Sequence, residues 1–261
     1  MVRRVLSNMW VLGIAALGWR ASYGAAAVIL ALGLLPTVWW LLRHHDARHR
    51  DYLERLAQRA SGAARATAPP SWSRAEVLRH RTFHLLLPAV LGPAFIGTAL
   101  FFHHLELAAM KGWSAAWITG NYWVYAVGAV LASLAAGPLI DRITAVRVLP
   151  SFLVPMAIGL LLLWGFEGEI WALPYLFLLG LTSGIAFTAV IALWPEIYGV
   201  RHLGAIRSLV VSLSVLSSAL GPLFMGALMD AGVSVETICG LFALYCVGAT
   251  GLQMLGLRRL R

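Results

Sequence analysis

The sequence predicts an all-α, polytopic membrane helix bundle of seven to eight transmembrane helices. Three observations carry this. Of 261 residues, 60% are hydrophobic and only 12% charged, whereas a soluble domain carries about 25% charged residues. The mean hydropathy is +0.80. Apolar runs of about twenty residues, the length that crosses a bilayer as a helix, recur along the whole chain. This composition excludes a water-soluble fold. The net charge of +9 does not point to nucleic acid, which would need basic residues interleaved with aromatics on one surface; here the arginines lie between apolar blocks.

In chain order the runs fall at about 21–42, 83–106, 115–136, 148–165, 171–194, 208–230 and 236–257, with a short eighth candidate, "VLSNMWVLGIAALG", at 5–18. That first run, behind "MVRR", also has the form of a signal peptide, although "GWRASYG" leads into the next run without a clear cleavage site. "GWR" at 18–20, "KGWS" at 111–114, "FEGE" at 166–169 and "DAGVS" at 230–234 read as tight turns that pair the spans into hairpins. Three parts follow: 1–42, a basic central loop at 43–82, and a six-helix domain at 83–261. Within the loop, Asp51, Glu54, Arg55 and Arg59 are spaced for a short amphipathic surface helix before the "APPS" breaker, a solvated linker being the alternative. Cys239 and Cys246, seven apart on one helix, stand about 10 Å from each other, too far for a disulfide.

Sidedness follows from Lys and Arg, since basic loops stay on the cytoplasmic side. Nine arginines fall in 43–81, and Arg142, Arg147, Arg201, Arg207, Arg258, Arg259 and Arg261 add seven, all on one side if the spans alternate. The other side receives Arg20 and Lys111, a bias of sixteen to two before Arg3 and Arg4 are considered. A multi-pass protein of the plasma (inner) membrane with a cytoplasmic C-terminus is expected, and the lipid bilayer is its first partner.

Inside these runs there is no Lys or Arg, and carboxylates occur only at their ends, as Glu106, Asp230 and Glu236. Charge within a bilayer is costly, so the interruptions are informative. "GPLIDR" at 137–142 holds G-x-x-x-D-R. Gly137 removes bulk where a helix end nears a neighbour, Asp141 offers an acceptor to a helix N-terminus, and Arg142 can pair with a carboxylate across the loop. "WPEIYGVRHLGAIR" at 194–207 supplies that carboxylate as Glu196, beside Arg201 and Arg207. Two charged loops on one face predict a salt-bridge network acting as a cytoplasmic gate; ordinary positive-inside anchoring is the plainer alternative.

With "SSALGPLFMGALMDAG" at 217–232, these stretches make the chain resemble the second half of a major facilitator superfamily transporter, and "GWRASYG" resembles the junction of that family's fifth and sixth spans. On this mapping 1–42 holds a truncated fifth span plus the sixth, and 83–261 is the C-terminal six-helix domain, the first four to five spans being absent. The resemblance implies secondary active transport of a small solute by alternating access, two six-helix halves rocking about a central site. Asp141 and Arg142, with Glu196 and Arg201, would then hold the gate in one state. One departure is "ITAVR", which leaves only Arg147 where the family's motif continues with Gly and more Arg. The "YG-x-RHLGAIR" loop looks nearest to monocarboxylate and oxalate-formate porters, which implies an organic anion. Those relatives place a cation in the eighth or eleventh span, and the runs drawn above have none there. The implied partner is a second copy or an N-terminal half; no cofactor, metal or nucleic acid is expected.

Polar groups inside apolar spans point to a translocation path. The candidates are Thr98, Phe101, His103 and His104 near the outer end of one span, and Asn121, Tyr122 and Tyr125 on the next. Lacking a mid-membrane carboxylate, a coupling proton would fall to His103, His104 or the other half; a histidine bonded to backbone or water is the alternative. Gly180 and Gly184 beside Thr182, Ser183 and Thr188 read as close helix packing, and Ser212, Ser214, Ser217 and Ser218 line a pore or bond back to their own helix. Two rival readings remain. His45/His49 and His80/His84 form H-x-x-x-H pairs, as in intramembrane di-iron enzymes, but His84 and His104 lie twenty residues, or about 30 Å, apart on one span and cannot share a metal. A non-transporting membrane scaffold is the other.

Overall fold

The computed structural model describes residues 3–43 and 72–259, all of whose regular elements are helices. Seven of these are long and apolar enough to cross a membrane: Gly18–Leu42, Arg81–Phe102, Ala115–Ile143, Ala145–Gly165, Glu169–Tyr198, Leu203–Asp230 and Val235–Arg258. They correspond in number and order to the seven runs. The loop helix expected around Asp51 to Arg59, together with His45 and His49, lies outside the described residues. The chain divides into two units, Met1–Ala68 and Pro69–Arg261.

In the first unit, α1 (Arg3–Leu42) contains both the 5–18 and the 21–42 runs and is broken at Gly18, with φ 75° and ψ 160°. Only glycine takes that conformation without strain, so "GWR" marks a local break and the helix resumes at once. The Ser22 and Thr37 hydroxyls donate to Gly18 O and Gly33 O, which keeps them satisfied without water. Trp19 and the Trp39/Trp40 pair are exposed and twenty residues apart, hence about 30 Å along the helix. That is the hydrocarbon thickness, with tryptophan at both boundaries.

The second unit opens with a short helix, α2 (Arg74–Arg79). Six spans follow: α3 (Arg81–Phe102), continued by α4 (His104–Met110); α5 (Ala115–Gly120) with α6 (Tyr122–Ile143); α7 (Ala145–Val148) with α8 (Val154–Gly165); α9 (Ala172–Tyr198); α10 (Leu203–Asp230); and α11 (Val235–Arg258). The main seams are α6 on α9, α3 on α10, and α11 on α3 and α8, with α8 closing against α9. Lipid supplies no hydrophobic drive between helices, so close approach at small residues holds them. A Cβ at Gly180 or Gly184 would overlap the carbonyl oxygens of Tyr125 or Ala129, and one at Gly221 that of Phe95. The packing reading of Gly180 and Gly184 therefore holds. Cys239 and Cys246 are free and buried.

Prolines loosen these helices, and neighbouring side chains compensate. Pro222 has no N–H to offer the Ser218 carbonyl, and the Thr98 hydroxyl, which also has Ala94 O and Phe95 O of its own helix within reach, lies 2.9 Å from that carbonyl across the α3–α10 seam. "KGWS" and "DAGVS" fold alike. Gly112 and Gly232 take φ 70° and 77°, the Trp113 and Val233 amides reach back to Ala108 O and Leu228 O, and Ser114 and Ser234 cap the next helices. Each is a glycine-terminated helix end followed by an N-cap. The rim they form is tied together: the buried Lys111 Nζ meets Glu236 Oε1 at 2.9 Å and Phe166 O, while Trp113 and Trp117 donate their indole N–H groups to Glu167 O and Glu169 O.

Helix ends differ from the runs at the opposite, arginine-rich end. α6 continues to Ile143, so Asp141 and Arg142 ride its last turn, and only Thr144, at φ 77°, separates them from α7. α9 passes through Pro195 to Tyr198, which puts Glu196 on a helix. α10 starts at Leu203, so Arg207 stands inside a span that was drawn without any cation. Hydropathy alone draws these helices too short, because a long arginine side chain lets a helix extend beyond the apolar run while its charge reaches toward water.

Candidate functional site

At the arginine-rich end, the Glu196 carboxylate accepts a hydrogen bond from the Ala145 backbone N–H at 2.8 Å. The acceptor role foreseen for Asp141 thus falls to Glu196. Among the described residues, Asp141, Arg142, Arg201 and Arg207 make no ion pair, and the expected salt-bridge network is not formed in this conformation. Glu196 is committed to a backbone amide, and Asp141 and Arg142 are solvent-exposed. Nothing within 4 Å surrounds the position a Cβ would take at Gly137, so its small size serves no close approach within the unit.

The end of the central loop docks beside these groups. Ser73 and Glu76 form a capping box on α2. Hydrogen bonds from the Ser73 backbone and side chain hold the Glu76 carboxyl below its ordinary value of 4.5. The Trp72 N–H donates to Tyr198 O, its ring lies 4.7 Å from that of His80, and His80 Nδ1 meets Tyr198 Oη at 3.1 Å. Burial lowers the His80 imidazole below its ordinary 6.5, because the charged form loses hydration there. Tyr198 in turn stacks on Trp194.

Trp194 lines a cavity of 470 Å³ between α3, α9 and α10, whose wall also includes Pro93, Ser183, Phe187, Arg207 and Ser214. Among the described residues Arg207 is the only charged one in the lining. The buried Trp194 Nε1 has no hydrogen-bond partner among the described residues.

The path candidates separate into two groups. Phe101, His104, Tyr122 and Tyr125 come together: the Phe101 ring lies 5.2, 5.7 and 5.0 Å from those of His104, Tyr122 and Tyr125, and His104 stacks on Tyr122. Tyr175 of α9, which sequence reasoning missed, completes this cluster at 5.6 Å from His104. Both His104 ring nitrogens and the Tyr175 hydroxyl are buried without a partner among the described residues. The Tyr125 hydroxyl donates to Ser183 Oγ at 2.9 Å, which links the aromatic cluster to the cavity wall. Thr98 and His103 belong instead to the α3–α10 seam: His103 Nδ1 lies 2.8 Å from Glu106 Oε2 and Nε2 lies 3.1 Å from Pro222 O. Asn121, at the junction of α5 and α6, bonds back to Trp117 O of α5.

His84 bonds to Leu78 O at the end of α3 opposite His104. Among the described residues no three His, Cys, Asp or Glu side chains converge as a metal site would require. Nothing in the sequence singles out Trp194 or Tyr175, because a large aromatic in an apolar helix reads as core. Ser183 and Ser214 were noticed but carry no signal of which way they face.

An apolar helical bundle with a largely apolar groove between its spans, carrying a few polar groups, is the architecture of a polytopic transport protein. The family model of the Major Facilitator Superfamily matches residues 9–222 and again 112–258, so the chain belongs to that superfamily, an integral membrane transporter rather than an enzyme. No curated protein matches the chain significantly.

Proposed function

We propose that the protein is a secondary active transporter that carries a small organic anion by alternating access, in a cytoplasmic membrane with its C-terminus inside. The 470 Å³ cavity carries the reading. Its size falls within the range of about 300–1,000 Å³ typical of small-molecule sites, and such sites combine apolar walls with a few placed polar groups. Arg207 offers a carboxylate two parallel donors, the Ser183 and Ser214 hydroxyls are further polar partners, and Phe187 faces an apolar body. From Tyr175 through Ser183 to Trp194, α9 strings the aromatic cluster, the Tyr125–Ser183 bond and the cavity along about 29 Å of helix, by its rise of 1.5 Å per residue, which is the thickness to be crossed. α6 and α10 are the least buried spans of the second unit, and a partner six-helix half, from a second copy or an N-terminal half, would cover them. Gly137 and the unpaired Asp141 and Arg142 would then gate against that half.

The test is counterflow in proteoliposomes, with a panel of mono- and dicarboxylates beside neutral and cationic solutes. Anion uptake should fall about 10- to 100-fold in affinity in Arg207→Gln, the scale of a lost hydrogen bond to a charged group, and be partly retained in Arg207→Lys. Uptake of neutral solutes indifferent to Arg207→Gln refutes the anion reading, and no uptake of any solute favours a scaffold. His103 is the proposed proton carrier, since its two neighbours, a carboxylate and a carbonyl, both accept. Unchanged substrate-induced proton uptake in a His103→Ala/His104→Ala variant refutes that part.

A further inference from the structure

A second cavity, of 260 Å³, lies on the outer surface of the second unit at the arginine-rich end, lined by Val146, Arg147, Pro150, Met254, Leu257 and Arg258. Two guanidinium groups and no carboxylate line it, and among the described residues neither arginine makes an ion pair. Met254, Leu257 and Arg258 are spaced i, i+3, i+4 and share one face of α11. Arg147 is held opposite by α7, whose N-terminal amide is bonded to Glu196. The remaining walls are apolar. Beyond them, away from the helix ends, exposed apolar side chains continue along both helices: Val154 and Ile158 of α8, and Leu244 and Val247 of α11.

A doubly cationic cup at the end of two spans, opening onto an apolar strip along those spans, matches one chemical class of ligand: an anionic headgroup with acyl chains attached. The cup is smaller than the usual range for small-molecule pockets of about 300–1,000 Å³, and basic pockets between spans at the cytoplasmic surface suit anionic lipid headgroups. We infer that the cavity between α7 and the end of α11 is a binding site for an anionic phospholipid, with Arg147 and Arg258 on its phosphate and the acyl chains against α8 and α11. This holds whatever solute the central cavity takes.

The experiment measures lipid binding to the purified full chain by native mass spectrometry, titrating phosphatidylglycerol against phosphatidylcholine of equal chain length, with inorganic phosphate and glycerol phosphate as competitors. Phosphatidylglycerol is expected to bind at a saturable site that phosphatidylcholine does not fill. Arg147→Gln/Arg258→Gln should weaken it about thirtyfold, from about 1 kcal/mol per basic residue at an anionic surface. Arg142→Gln/Arg259→Gln, the same charge removed outside the cup, should change it less than threefold. Met254→Glu puts a carboxylate in the cup at an already exposed position and should also abolish the site. Equal binding of the two lipids, equal loss in the two arginine pairs, or displacement by inorganic phosphate at the lipid's own affinity overturns the proposal.

Discussion

Gly184→Ala should destabilise the protein while Gly137→Ala does not, although both put the same methyl on the same pair of neighbouring spans. At Gly184 the methyl would stand well under 3 Å from the Ala129 carbonyl, with Ala132 Cβ and the Ser133 N–H also inside contact distance. These obstacles are mostly backbone, so no rotamer change relieves them and α6 must move off α9. Overpacking of this kind costs about 1–3 kcal/mol, against a gain of about 0.5–1 kcal/mol from replacing a helical glycine by alanine. The net is a loss of about 1–2 kcal/mol. At Gly137 nothing lies within 4 Å, and only the gain remains. At about 2–4 °C per kcal/mol for a unit of this size, the two variants should unfold several degrees apart on opposite sides of wild type, followed by tryptophan fluorescence of the purified protein during heating. Coincident transitions, or a Gly184→Ala variant more stable than Gly137→Ala, would refute the backbone-contact account of the α6–α9 seam. If Gly137 meets a partner half in another state of the cycle, Gly137→Ala should keep its stability and lose transport rate.

Three further outcomes follow from the geometry. Thr98→Val leaves the Ser218 carbonyl unpaired and should cost about 1–2 kcal/mol, Thr98→Ser should retain most of it, and Pro222→Ala, which restores the helical N–H, should lessen the Thr98→Val penalty in a double-mutant cycle of thermal stability. At the opposite rim Lys111 is buried while the Glu236 side chain is 40% exposed. Glu236→Ala strands a buried ammonium and should lose on the order of 2 kcal/mol, whereas Lys111→Met leaves a carboxylate that water can solvate and should lose less in the same unfolding measurement. His80 sits below its ordinary 6.5 through burial, so the undocked segment takes up a proton more readily than the docked one. Docking strength contributed by neutral His80 is therefore complete above about 6.5 and declines as pH falls toward the lowered value. Trp72 fluorescence should report that decline, and His80→Phe should remove it; a pH-independent Trp72 signal in the wild type would count against the docking geometry.

Fold class and span count were legible because hydropathy is a property of whole segments. Each of the seven runs needed only its average composition to be found, and the turns at Gly112 and Gly232 announced themselves through a glycine followed by a capping serine. The site was legible only in part. Tyr122, Tyr125, Phe101 and His104 do converge, yet their fifth member, Tyr175, comes from α9, fifty residues further on, and no local pattern links it to them. Glu196 was singled out for its charge, but its partner is a backbone amide, and an amide has no letter in the sequence. Arg207 reads as a loop residue because of its own charge; its place in the cavity wall depends on α10 beginning more than a turn earlier than hydropathy indicates. What fails in each case is direction, the one quantity that composition does not carry.

The two tight seams bear on how such a cycle would run. Gly180 and Gly184 set backbone against backbone between α6 and α9, and Gly221 with the Thr98–Ser218 bond does the same between α3 and α10, so neither pair can slide without first separating. Packed interfaces of this kind are bistable and do not deform continuously. Under the proposed alternating access the unit would therefore turn as one body. The motion would have to be taken up at its exposed α6 and α10 surfaces and at the docked Trp72–His80 segment, which touches the cavity through Tyr198 and Trp194. Among the described residues Asp141, Arg142 and Arg201 make no ion pair and Gly137 faces no close neighbour; they lie at that end, which is where a second half would have to engage and let go.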